Sequence, residues 1–488
     1  MITFKYYITT PLYYVNAKAH IGHAYTNIAT DVLARWHRLK GEDVFFLTGT
    51  DEHGKKVETS AEKAKKDPQK FVDEISKKFK DVWKTLNISY GSFIRTTDSK
   101  HKKAVYEVLR RMQDRGDIYK GVYEGWYCTP CESYWTETQL KEDKCPSCGR
   151  SVEKLKEESY FFKLSKYQKP LLELYKNNPG FISPEHRKQE IINRVKEGLR
   201  DLSITRTSFD WGIKYPGDDK HIVYVWVDAL TNYISALGFP DSNNYKKYWP
   251  ADVHILGKEI SWFHAVIWPA MLLSIGEKPP KKLFIHGWLT IDGKKMSKSV
   301  GNVIDPVEMS KKYSSDSLRY FLLREIPFGH DGDFSEKTLK EKINNELVAD
   351  LGNLVNRTLT MTEKFKGKLE GKDELSKEFN LKKIEGFIDN YEFHHALDEI
   401  WNFIRAANRY INDKEPWKLE GKELANVLYN LLESLRIISI LVSSFMPDTS
   451  IKMNKQLGVK TGSLKDCKFG KLSGKPKKGD LLFQKIKT

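Results

Sequence analysis

The first fifty residues constrain the fold most. Phe4 to Thr9 reads as a short strand, followed by a polar turn. Ala24, Ile28, Val32 or Leu33, Trp36 and Leu39 then recur at helical spacing until Gly41 closes the helix. Val44 to Leu47 reads as a buried strand ending in the turn Thr48-Gly49-Thr50. Strand, helix, strand at this spacing is a βαβ unit, which demands a parallel sheet covered by helices. Three later runs, Ile222 to Val227, Val253 to Leu256 and Leu283 to Ile285, read as further strands. An apolar helix from about Ile260 to Leu273 follows the second of these. The predicted fold is therefore α/β, with a doubly wound parallel sheet.

Between the two halves, residues 115–220 have a different texture and read as an insertion. From about Lys340 the pattern is helical, over Asn345 to Lys364, Phe393 to Asn412 and Leu424 to Phe445. Gly462 to Lys487 reads as loosely structured. The predicted divisions are 1–114 and 221–275 for the two halves of the α/β domain, 115–220 for the insertion, 276–344 for a linking region and 345–488 for a helical bundle. No segment reaches the roughly 18 apolar residues a membrane span needs, and Leu435 to Met446 reads as a buried helix. Met1 to Val15 lacks the order of a signal peptide, so a cytoplasmic protein without a membrane is expected. A formal net charge of +16 points to a polyanionic partner, although a lysine-rich surface gives the same number.

In open α/β sheets ligands bind beyond the carboxyl ends of the strands. The polar landmarks collect there. His20-Ile21-Gly22-His23 opens the first helix, and Asp51-Glu52-His53-Gly54 follows the second strand. Trp226 and Asp228 end the third, Gly257-Lys258-Glu259 follows the fourth, and His286-Gly287-Trp288 the fifth. A helix N-terminus offers unpaired N–H groups, Gly22 admits a phosphate close to the backbone, and two imidazoles can donate to it. A histidine pair that only caps its helix is the competing explanation. Lys295-Met296-Ser297-Lys298-Ser299, bounded by Gly293 and Gly301, is more specific. Two lysines on a glycine-bounded loop can close over a triphosphate and reopen.

Four of the five cysteines fall within 21 residues, as Cys128-x-x-Cys131 and Cys145-x-x-Cys148. Four thiolates suit tetrahedral zinc with no position left for substrate, so one structural Zn2+ per chain is expected. Cys467 stands apart and reads as an inert thiol.

Both nucleotide-site motifs, in this order on an α/β pattern, resemble the HIGH and KMSKS signatures of class I aminoacyl-tRNA synthetases. Within that class the chain is similar to methionyl-tRNA synthetases from Lys5 to about Pro447. The specific pieces are Pro11-Leu12-Tyr13-Tyr14-Val15-Asn16, Thr50-Asp51-Glu52-His53-Gly54, Tyr224-Val225-Trp226-Val227-Asp228-Ala229, Phe284-Ile285-His286-Gly287-Trp288 and the cysteine cluster. The resemblance implies a Rossmann-like catalytic domain with a zinc-binding insertion, followed by an all-α anticodon-binding bundle. It implies ligation of L-methionine to tRNA(Met), for translation initiation and elongation, through a methionyl-adenylate formed from ATP with Mg2+. The adenylate is then attacked by the terminal adenosine 2′-hydroxyl.

Site residues follow from the same likeness. Leu12 and Tyr14 would form one wall of a methionine pocket, Trp226, Ala229 and Tyr233 another, and Ile285 with His286 the base. Asp51 would hold the ammonium. His20, Gly22, His23, Gly257, Glu259, Lys295 and Lys298 would bind ATP, with His20, His23, Lys295 and Lys298 stabilising the transition state. Asn353, Arg357, Pro416 and Trp417 would read the anticodon. From the residues alone, core packing explains Trp226 and Tyr233 as well. An inward-packed Pro-Trp helix start explains Trp417, a helix-capping turn explains Glu259, and packing accounts for His264. The chain stops at Thr488 without the C-terminal dimerising domain that many such enzymes append, so a monomer is expected. Two other readings stay open: a class I synthetase for isoleucine, valine, leucine or cysteine, and an RNA-binding protein that keeps the fold without the chemistry.

Overall fold

The structure is a computed structural model describing residues 4–16, 18–129, 133–135, 137–146, 148–296 and 301–487; the side chains of 123, 133, 134, 138, 155 and 295 are not described. Strands β1 (Lys5–Thr9), β2 (Asp43–Asp51), β3 (Ser92–Arg95), β4 (Val253–Gly257) and β5 (Leu283–His286) form one parallel sheet in the order β3-β2-β1-β4-β5. Tyr7, Ile8 and Thr9 are all buried, as expected of a central parallel strand covered on both faces. Strand order reverses between β1 and β4, and that switch point is where such sheets bind ligands.

Helix α1 (Ile21–Leu39) buries Ala24, Ile28, Val32, Leu33 and Trp36, the stripe its spacing predicts, and Gly41 takes a φ of +87° just beyond it. The expected strand over 222–227 is corrected. A strand runs only over Asp218–Val223, in a small antiparallel sheet with Thr205–Arg206 and Lys214–Tyr215. Helix α2 (Val225–Leu230) then begins, with the Tyr224 carbonyl accepting from the Val227 and Asp228 amides. The apolar run was legible as buried, but burial alone does not separate strand from short helix.

The insertion is led by a long antiparallel hairpin, Ile118–Cys128 against Glu153–Phe162, with Cys128 at its far end. The chain returns earlier than its texture suggests, because Ile182–Ser183 pairs in parallel with the outer edge of β5. Beyond the sheet come α3 (Ser315–Glu325), α4 (Asn353–Lys364), α5 (Phe393–Lys414) and α6 (Gly421–Val442). Among the described residues α6 is the one helix long and apolar enough to cross a membrane, contrary to the expectation that no segment reaches that length. Of its apolar 18-residue window, 89% is buried inside the protein, where the helix packs against α4 and α5.

Arg319 of α3 ties the sheet domain to the bundle. Its guanidinium lies 2.7 Å from Asp31 of α1 and donates to the carbonyls of Leu86, Ser444 and Phe445, all without exposure. The segment after Gly462 has little regular structure yet is not loose. Arg436 donates to the Asp466 and Lys468 carbonyls, Glu433 accepts from the Lys471 and Leu472 amides, and Asn344 exchanges two hydrogen bonds with the Ile486 backbone.

Candidate active site

Two adjoining cavities open at the switch point. The first, about 240 Å³, is lined by Leu12 and Tyr14 after β1, Asp51 at the end of β2, and Trp226, Ala229 and Tyr233. Trp226 stacks on Phe263 with 3.7 Å between ring centroids. The Tyr233 hydroxyl donates to His264 Nε2 at 2.7 Å, while His264 Nδ1 donates to the Ile260 carbonyl at 3.0 Å. Burial pushes the His264 imidazole down to about 4, which keeps it neutral. The site is thus apolar and aromatic, with the Asp51 carboxylate and the Lys56 ammonium as charged groups on its lining.

The second cavity, about 380 Å³, shares Pro11, Leu12, Tyr14 and Ile260 with the first. His20, Gly22 and His23 enter it from the start of α1, Gly257 from the end of β4, Glu259 from the turn that follows, and Met296 from the lysine-bearing loop. The two imidazoles stack at 3.7 Å. His20 Nδ1 accepts from the Gly22 amide and His23 Nδ1 accepts from the His20 amide. An imidazole that accepts at Nδ1 carries its proton on Nε2, so each ring presents an Nε2–H donor. The pair therefore both caps its helix and supplies donors; the two explanations are not exclusive. Across the cavity, the Ile21 amide donates to the Ile304 carbonyl just past the loop.

Several predicted residues stand elsewhere. Ile285 lines neither cavity; it is fully buried within the core cluster that holds Tyr233 and Trp268. Successive strand residues face opposite sides, and Ile285 and His286 accordingly stand on different sides of β5. His286 lines the second cavity, not the first. It donates from Nδ1 to the Gly287 carbonyl and accepts at Nε2 from Thr26, and burial lowers its pKa. Lys295 is described only as backbone, in a hairpin with Leu289–Ile291, and Lys298 lies outside the described residues. Lys56 belongs to no motif and was not among the expected residues; His264, expected to be a satisfied packing residue, is buried with both ring nitrogens hydrogen-bonded and also lines the first cavity. Asp228, read as a strand end, is buried between two imidazoles, with His53 Nδ1 at 2.6 Å and His101 Nε2 at 2.7 Å.

The family described as tRNA synthetases class I (M) matches residues 6–157 and 137–359. A methionine–tRNA ligase of Caldanaerobacter subterraneus subsp. tengcongensis is 52% identical over 502 residues, covering 99% of this chain and 79% of that protein. One from Clostridium perfringens is 50% identical over 99% of this chain and 78% of that protein. The chain belongs to the methionyl-tRNA synthetase family. Among solved structures, Mycobacterium tuberculosis methionyl-tRNA synthetase in complex with methionyl-adenylate matches with a TM-score of 0.94 and 41% identity, over 99% of this chain and 100% of that one.

The methionyl-tRNA synthetase likeness also singles out residues of the bundle. Arg357 stands one helical turn after Asn353 on α4, and its guanidinium lies 6.0 Å from the centre of the Trp417 ring. Pro416 is buried, but the Trp417 indole is 58% exposed, which removes the inward-packed explanation. Arg357 also donates to Asn412 Oδ1. At the tip of the insertion hairpin, the sulfurs of Cys128, Cys145 and Cys148 lie within 4.8 Å of one another, and Cys128 and Cys148 are 3.6 Å apart. Tetrahedral zinc at about 2.3 Å from each sulfur needs sulfurs about 3.8 Å apart, so this donor set fits such an ion. Cys131 lies outside the described residues.

Proposed function

We propose that the chain activates L-methionine with ATP and transfers it to tRNA(Met). The observation that carries this reading is the pair of cavities meeting at Pro11, Leu12, Tyr14 and Ile260. One is apolar with a carboxylate, and the other is rimmed by imidazole donors at a helix N-terminus. A methionine in the first would place its ammonium against Asp51, where a partly dry site strengthens the ion pair. Its thioether would lie among Leu12, Tyr14, Trp226, Ala229 and Tyr233, and sulfur gains about 0.3–1.5 kcal/mol against an aromatic ring.

ATP in the second cavity would have its phosphates at His20, Gly22 and His23 and its ribose at Gly257 and Glu259. Methionine's carboxylate oxygen then attacks the α-phosphorus in line, the bond to the bridging oxygen breaks, and pyrophosphate leaves. The Nε2–H donors of His20 and His23 meet charge that grows on the phosphoryl oxygens, and Lys295 and Lys298 supply cations from the loop. Mg2+ entering with ATP supplies charge neutralisation on the phosphates. The 2′-hydroxyl of the terminal tRNA adenosine next attacks the adenylate carbonyl, releasing AMP.

Zinc on Cys128, Cys131, Cys145 and Cys148 would hold the hairpin tip and take no part in the chemistry. Residues 1–114 and 221–275, with the strands Ile182–Ser183 and Leu283–His286 that pair into the same sheet, act as the catalytic domain, the rest of 115–220 as the insertion, the rest of 276–344 as the link and 345–488 as the anticodon-binding unit. Asn353, Arg357, Pro416 and Trp417 would meet the CAU anticodon, with the exposed indole stacking on a splayed base. We read the protein as a monomer that works in the cytoplasm, where its tRNA and ATP substrates are found. Methionine-dependent ATP–pyrophosphate exchange, run with all twenty amino acids singly, tests this. Exchange with another amino acid, or with none, rejects the proposal.

A further inference from the structure

Glu259 is held in an unusual way. A Cβ placed on Gly257 would fall 2.6 Å from both Glu259 carboxylate oxygens, so the carboxylate folds back over the glycine inside the nucleotide-side cavity. Its Oε2 accepts from the Trp288 indole Nε1–H at 2.9 Å. Trp288 is 40% exposed at the rim of that cavity, so burial does not account for its place. What fixes the indole is polar. The Trp288 backbone amide donates to Asp331 Oδ1 at 2.8 Å, and the Lys258 ammonium sits 4.1 Å from the ring centre while donating to both Asp331 oxygens. Because Lys258 and Glu259 are neighbours in the chain, the four residues close a ring.

We infer that Trp288 is a positioning residue for Glu259, aiming the carboxylate at the ribose of the bound nucleotide. The inference rests on the reading that Glu259 accepts from a ribose hydroxyl. With Oε2 tied to the indole, the long side chain keeps one orientation, with its carboxylate on the lining of the cavity. A glutamate without that tether rotates among several conformers and meets the hydroxyl in only one of them. The ring also reaches the lysine-bearing loop. Asp331 directly precedes Gly332–Phe334, which pairs with Leu289–Ile291, and that strand forms the hairpin with Lys294–Lys295. The same indole thus joins the ribose contact to the root of the loop that carries the two signature lysines.

The test is Trp288→Phe, which keeps an aromatic ring beneath Lys258 and removes the N–H donor. In methionine-dependent pyrophosphate exchange, KM for ATP should rise roughly 3- to 10-fold, the worth of one lost hydrogen bond, with KM for methionine unmoved. Glu259→Ala should raise KM for ATP at least as much, and adding Trp288→Phe to it should bring no further rise. The wild type should lose more affinity for 2′,3′-dideoxyATP, relative to ATP, than Trp288→Phe does. If Trp288→Phe leaves KM for ATP alone while Glu259→Ala raises it, the positioning role is wrong and the ribose contact stands. If Glu259→Ala has no effect either, the ribose reading itself falls. Equal rises in both KM values, or a large drop in melting temperature, would show a general structural role and overturn the inference. Asp331→Asn, which loosens the ring without touching the indole, should give a smaller rise in the same parameter.

Discussion

His53 Nδ1 lies 2.6 Å from Asp228 Oδ2, and this contact joins the segment after β2 to helix α2, the two stretches that carry Asp51 and Trp226 to the amino-acid cavity. His101 completes the bridge on the other carboxylate oxygen and is itself bonded to Ser235. Asp51 and Trp226 each stand two residues from a member of this contact. The shape of the cavity therefore depends on a buried carboxylate that never touches it.

Asp228→Asn should consequently do more than weaken the fold. An amide can accept from one imidazole but turns an NH2 toward the other, which is buried as well. The expected cost is about 2–4 kcal/mol in urea unfolding, with KM for methionine raised and KM for ATP little changed. Burial works against the Asp228 carboxylate, but His53 and His101 outweigh it and hold its pKa at about 2, below the ordinary 3.8. The unfolded chain therefore takes up this proton first. Its contribution, about 2 kcal/mol, is complete above pH 4 and fades as pH falls toward 2. Urea midpoints from pH 5 downward should show the gap between wild type and variant narrowing.

His264 works in the opposite part of the pH scale. Burial lowers its pKa from 6.5 to about 4, so between those values the unfolded state binds a proton the folded state refuses. Stability should fall on acidification from pH 6.5 to 4, by at most about 1.4 kcal/mol per pH unit from this group, and not change on its account above 7. His264→Gln should flatten that slope. His254, also buried and lowered, keeps part of it. Melting temperatures at pH 7.5 and 5.0 decide the matter; an unchanged slope in the variant would refute it.

Arg319→Met should leave Asp31 charged and buried beside Arg35 alone, with three carbonyls deprived of their donor. Losing one partner of such a pair costs about 3–5 kcal/mol. The double variant Asp31→Asn/Arg319→Met should be less destabilised than the two single effects combined, which a double-mutant cycle measures directly.

Trp417→Ala should separate the two half-reactions. Pyrophosphate exchange is expected to be unaffected, while kcat/KM for tRNA falls roughly 5- to 150-fold, the worth of one base stack. A matching loss in exchange would place Trp417 in the fold rather than at the RNA.

The metal site has a plain readout. Purified protein should carry about one zinc per chain by elemental analysis, and Cys145→Ser should carry far less. Chelation of the wild type should make Cys128, now buried, open to alkylation.

Much of this arrangement was legible from the chain. Strands β1, β2, β4 and β5 announce themselves because central parallel strands are apolar on both faces. Strand β3 does not, since in Ser92–Arg95 only Ile94 is buried. The two-residue strand Ile182–Ser183 is too short to carry any period. Leu12, Tyr14, Asp51 and Trp226 were placed on one cavity by motif, and the structure gathers them there. Ile285 and His286 were expected on one pocket floor, whereas the structure puts Ile285 in the core and His286 on the second cavity, in keeping with the two-residue alternation of a strand. His264 and Asp228 were unreadable for a different reason: their partners lie 31 and 175 residues away, in Tyr233 and His53.

The wall that Leu12, Tyr14 and Ile260 share has a pharmacological side. A compound that fills only one cavity gives up its freedom of motion for the contacts of that cavity alone. A compound reaching over the wall gives it up once and collects contacts from both. Joining two weak fragments across these residues, with a linker that fits the span, should tighten binding roughly 100- to 10,000-fold over either fragment without any new contact to the protein.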